Sequence, residues 1–177
     1  PEVVAKTLSK KDIRSSAQFA IIGVKKFFPY PRIISSNVRF IDAPCSANSV
    51  RRGFPSADIG RLSYNFIKIA SDLALKKKFD AVVTAPISKV SLKLAGLKFQ
   101  GHTEIFQKLT GSKEVEMLLV AGRLKTILLT RHIPVREVPE AISRQKIVRA
   151  VKLAVKHFGK KCKIAVCALN PHAGDGG

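Results

Sequence analysis

The chain has 177 residues, 46% hydrophobic and 25% charged, a balance that fits a single globular domain with a substantial core. No apolar run approaches the roughly 18 residues of a membrane span, and Pro1-Glu2-Val3-Val4 carries neither an initiator Met nor a signal peptide. The 32 Lys and Arg against 12 Asp and Glu give +20, a charge that attracts polyanions or phosphorylated substrates. The cations are scattered, as in Lys10-Lys11, Arg51-Arg52, Lys76-Lys77-Lys78 and Lys160-Lys161, without a basic tail or a stacking motif. Neither a membrane nor a nucleic acid is therefore expected as partner. Cys45, Cys162 and Cys167 are odd in number and form no CxxC pair, which points to a reducing, cytoplasmic setting.

In chain order, Phe19 to Gly23 and Val38 to Ala43 are expected strands. Ala57 to Lys78 repeats apolar residues at helical spacing and ends in three lysines that suit a helix carboxyl end. Phe79 to Thr84 reads as a strand halted by Pro86, and Ser88 to Ala95 as a short helix closed by Gly96. Thr103 is placed to cap a helix from Glu104 to Leu109, ended by Gly111. Val115 to Ala121 and Lys125 to Thr130 flank Gly122-Arg123 as a hairpin would. Ser143 to Phe158 is amphipathic and stops at Gly159, and Lys163 to Leu169 is expected to close the unit as a strand. This alternation predicts one α/β sandwich with a mixed, mostly parallel sheet.

Three of the four histidines fall on loops bordering these elements, while His157 lies in the last turn of a helix, where a structural role is expected. His132 follows the run ending at Arg131, and His172 follows the run ending at Leu169. Neighbouring parallel strands deliver their carboxyl ends to one sheet edge, so these two imidazoles could converge there. Such a pair suits Zn, Co, Ni or Fe better than Mg, but a stable site needs a further ligand, and spacing alone does not supply one. Thr84-Ala-Pro-Ile-Ser-Lys89 and Gly101-His-Thr103 are two candidate helix starts that could hold a phosphate or serve as ordinary caps. No GxGxxG or Walker A motif occurs.

Taken together, Ala81-Val-Val-Thr-Ala-Pro-Ile-Ser-Lys89, Gly96, Gly101-His-Thr-Glu104, Thr130-Arg-His-Ile-Pro134 and Asn170-Pro-His-Ala-Gly-Asp-Gly-Gly177 resemble the 4-hydroxythreonine-4-phosphate dehydrogenase family of pyridoxal phosphate biosynthesis. The resemblance implies an isopropylmalate-dehydrogenase-like α/β/α sandwich and a homodimer with an interfacial active site. It also implies NAD- or NADP-linked oxidation of 4-phosphohydroxy-L-threonine, followed by loss of CO2. By resemblance His132 and His172 match two of three ligands to a divalent metal (Zn, Co or Mg), and His102 with Thr103 match the substrate-binding pair. Lys89 is a weaker candidate for neutralising phosphate charge. The third metal His belongs to a later motif of the family, and its amino-terminal Gly-rich segment also finds no match. The chain is accordingly expected to be part of a longer protein, with little turnover on its own. Ser88 stands where the family often has Asn, Asp175 where Glu is usual, and Val90 where an acid is frequent. The alternatives carried alongside are a dehydrogenase of another four-carbon phosphorylated hydroxy acid and a non-catalytic basic module for nucleic acid.

Overall fold

Phe19–Gly23 (β1) and Val38–Asp42 (β2) pair in parallel, Phe19 opposite Val38 through Gly23 opposite Asp42, in the computed structural model of the chain. The structure describes residues 1–45, 50–51, 53–172 and 174–175. Arg52, and Ala173, Gly176 and Gly177 of the closing turn, lie outside the described residues. The chain divides into two compact units, Pro1–Lys113 and Glu114–Gly177.

In the first unit the helices Glu2–Ser9 (α1) and Lys11–Ser16 (α2) precede β1. The β1–β2 crossover holds short 3-10 turns at Lys25–Phe27 and Pro31–Ile33 instead of the usual α-helix. Ala5, Leu8, Ile21, Ile33 and Val38 form a core there, with Phe28 set edge-on to Tyr30 at 5.6 Å. Asp42 fixes the end of β2 by accepting the Lys25 backbone N–H at 2.7 Å.

Ala57–Leu75 (α3) begins at Ser56, whose hydroxyl accepts the Ile59 N–H. Its apolar face, through Ile67, meets Leu92 of Lys89–Leu94 (α4) and Ile105 of His102–Thr110 (α5), and both of these side chains are fully buried. Gly60 lets α4 approach the α3 backbone closely, and buried Ser91 accepts the Ser56 N–H across that contact at 3.2 Å. Gly111 closes α5 in the left-handed conformation that glycine permits. Thr103 does not cap α5, contrary to expectation. The helix starts earlier, so Gly101 takes the cap position and Thr103 lies inside the first turn.

In the second unit Leu118–Ala121 (β3) and Leu124–Ile127 (β4) form the expected antiparallel hairpin. Gly122, at φ 57, opens its two-residue turn. A short helix, Val138–Ala141 (α6), leads to Arg144–Phe158 (α7), capped by Ser143 accepting the Lys146 N–H at 3.2 Å. Ala150 and Ala154 are buried on the inner face of α7, and His157 stands edge-on to Phe158 at 5.0 Å.

Two expected strands are absent. Residues 79–84 and 163–169 form no ladder, and Val83 is 89% and Val166 61% exposed. An apolar β-branched run becomes a strand only where a neighbouring chain takes up its N–H and C=O groups, and no described residue does so here. The described residues therefore hold two separate two-stranded sheets instead of one mixed sheet.

Candidate functional site

The sequence motifs fall into two groups, one in each unit. In the first unit α4 starts at Ser88, whose hydroxyl accepts the Ser91 N–H at 3.1 Å and so already serves the cap. Lys89 is the exposed first residue of that helix, which is only six residues long. Its amino end is accordingly a poor anion site by itself.

His102 opens the nine-residue α5, where Gly101 contributes no side-chain cap, so the first-turn N–H groups face outward at the positive end of the helix. Its ring lies 6.4 Å from that of Phe106, nearly parallel to it, and near enough to the Ala85 backbone for that carbonyl to favour its protonated form. That proximity brings the Thr84–Lys89 segment beside the Gly101–Glu104 segment, which spacing along the chain did not reveal. Partial burial lowers the His102 pKa below 6.5, and the Ala85 backbone opposes the shift without cancelling it. The ring is therefore neutral at neutral pH and can donate one hydrogen bond and accept another.

This shift carries a linkage. The folded state binds the His102 proton less readily than the unfolded chain, so its contribution to stability is present above about 6.5 and is lost as pH falls below that value. Ring-proton NMR is expected to give His102 a midpoint under 6.5. A midpoint at or above that value would contradict its burial against Ala85 and Phe106.

In the second unit His132 sits five residues beyond β4 in the left-handed region, at φ 54. A non-glycine residue holds that conformation only when its surroundings impose it. His172 lies in the closing turn. Its N–H donates to Asn170 Oδ1 at 2.9 Å, and the Asp175 N–H donates back to the His172 carbonyl at 3.1 Å. Its Nδ1 is 3.0 Å from Asp175 Oδ2, which orients the exposed imidazole and leaves Nε2 for a ligand. The i, i+3 spacing of His172 and Asp175 was the available signal for that pair.

The ground on which His132 and His172 were expected to converge, parallel neighbouring strands, is not present. β4 is antiparallel to β3, and residues 163–169 pair with nothing described. Two imidazoles are the right donors for a divalent transition metal, but among the described residues no three His, Cys, Asp or Glu side chains gather. The donor chemistry fits and the ligand number falls short.

Residues 3–177 match the family model "Pyridoxal phosphate biosynthetic protein PdxA". The chain belongs to this family. It is 38% identical to a 4-hydroxythreonine-4-phosphate dehydrogenase from Sulfurihydrogenibium sp. over 72% of this chain and 41% of that protein. It is also 32% identical to a D-threonate 4-phosphate dehydrogenase from Cupriavidus necator, over 100% of this chain and 60% of that protein. The solved structure of a Klebsiella pneumoniae 4-hydroxythreonine-4-phosphate dehydrogenase superposes with a TM-score of 0.81 at 28% identity, covering 98% of this chain and 60% of that one. The chain thus spans 41% to 60% of the length of these PdxA-family proteins. Its mixed α/β architecture with a short parallel sheet is that of its structural neighbours.

Proposed function

We propose that the protein containing this chain oxidises 4-phosphohydroxy-L-threonine with NAD or NADP in pyridoxal 5′-phosphate biosynthesis. Bound NAD or NADP would accept the hydride from C3 while a base took the hydroxyl proton, and the resulting β-keto acid would lose CO2. The family match over residues 3–177 carries this reading. The dehydrogenase names of the relatives point to a nicotinamide cofactor.

His102 and Thr103, at the open start of α5, bind the substrate. The neutral His102 ring, its N–H facing the Ala85 backbone, offers a hydrogen-bond acceptor without bringing in a charge, and the first-turn N–H groups favour an anionic group. His132 and His172 hold a divalent metal (Zn, Co or Mg) together with a ligand from elsewhere in the protein. Such a metal would polarise the reacting oxygen and stabilise negative charge developing there. Asp175 fixes the His172 ring so that Nε2 faces that role. The working form is a cytoplasmic homodimer with an isopropylmalate-dehydrogenase-like sandwich fold. Residues 1–177 form a partial dehydrogenase unit within it.

The similarity to D-threonate 4-phosphate dehydrogenases favours a second substrate, another four-carbon phosphorylated hydroxy acid. Reduced nicotinamide formed by the full-length protein separates the two. The expected result is a kcat/KM for 4-phosphohydroxy-L-threonine about tenfold or more above that for D-threonate 4-phosphate. The reverse order assigns the second substrate, and inactivity on both overturns the dehydrogenase reading.

A further inference from the structure

Residues 141–174 contain eight Lys and Arg and no Asp or Glu. Scattered in sequence, these charges are gathered by α7. At about 100° per residue, Arg149, Lys152 and Lys156 fall on one stripe, opposite the buried Ala150 and Ala154. All three cations are exposed, as are Lys160, Lys161 and Lys163 just beyond the helix. Arg149 pairs with Glu116 at 3.2 Å, but none of Lys152, Lys156, Lys160, Lys161 or Lys163 forms an ion pair with a described residue.

We propose that this stripe binds the phosphodiester backbone of nucleic acid without regard to base sequence. Charge complementarity and spacing support that occupant. Arg149 to Lys156 covers about 10 Å of helix axis, the length of about three phosphates of one strand at ~3.4 Å each. Eight residues thus present three cations, one of them paired with Glu116, to about three phosphates. Ala150 and Ala154, on the side of α7 away from the cations, are buried, which leaves Val148 and Phe158 as the exposed large apolar side chains of α7 for an anionic bilayer to take up. The proposal is independent of the dehydrogenase reading.

The test is fluorescence anisotropy of the chain with a labelled, mixed-sequence single-stranded RNA of about 20 nucleotides across a salt series. The variant K152Q/K156Q/K160Q is compared with K76Q/K77Q/K78Q, which removes the same charge from the other unit. Glutamine keeps the helix propensity of lysine, so both variants retain the fold. The α7 variant is expected to bind about tenfold or more weakly, with a log–log salt slope shallower by about 2, the loss of three phosphate contacts. The control variant is expected to stay within about threefold of the unmodified chain, and phosphatidylserine vesicles to bind far more weakly than RNA. Equal losses in the two variants would make net charge the whole cause and overturn the proposal. Absence of RNA binding by the unmodified chain, or vesicle binding as tight as RNA binding, would overturn it too.

Discussion

Replacing Gly60 with alanine is expected to lower the unfolding midpoint by about 10 °C, equivalent to about 3 kcal/mol for a chain of this size. The added Cβ would lie 2.0 Å from the Ser91 carbonyl oxygen, 2.6 Å from its carbon and 2.9 Å from the Ala95 Cβ. Two of those atoms are backbone, so no side-chain rotation relieves the overlap. Helix α4 would have to move away from α3, but Ser91 is held by the Ser56 N–H and Leu92 is locked into the core with Ile67 and Ile105. Separation therefore breaks a buried hydrogen bond and opens the apolar contact at once. Gly53→Ala serves as the comparison, because at φ 82 it has left-handed backbone but no atom within 4 Å of the added Cβ. Its cost is the backbone term alone, about 1 kcal/mol. Thermal unfolding followed by circular dichroism measures both. An unchanged midpoint for Gly60→Ala would contradict the close α3–α4 contact.

The second large effect is expected at the histidines. In the full-length protein, His132→Asn and His172→Ala should each lower kcat/KM by about a thousandfold, as expected for loss of a charge-stabilising metal ligand. Asparagine is the better replacement at position 132 because it tolerates the left-handed φ of 54 that the loop imposes. The imidazole then goes without a backbone rearrangement. Asp175→Asn should have a graded effect, weakening metal affinity by about 10–100-fold, since it loosens the His172 ring without removing it. Asp175→Glu tests reach, because it restores the carboxylate on a longer arm. Steady-state kinetics beside metal titration separate these cases, and full activity in either histidine variant would remove that residue from the site.

Where local chemistry decides conformation, the sequence was readable. Gly111 and Gly122 supply the left-handed turns that end α5 and connect β3 to β4, and α3 and α7 form where apolar residues recur at helical spacing. Reading failed where the outcome depends on a distant partner. Residues 79–84 and 163–169 have strand composition, but composition cannot say whether another chain segment lies alongside, and none of the described residues does. Thr103 before Glu104 has the composition of a cap, whereas Gly101 holds the cap position and the helix begins at His102. The motifs marked His102, Thr103, His132 and His172 as the candidates. They did not reveal that His102 reaches Ala85 or that Asp175 holds His172, since both contacts are set by folding of the loops.

The central claim, that His132 and His172 hold a metal for a dehydrogenase reaction, is tested most directly by the metal content of the purified full-length protein and its variants. The account predicts about one divalent metal per chain in the unmodified protein and a small fraction of that in His132→Asn and His172→Ala, with all three equally folded. Full metal occupancy in both variants would contradict it.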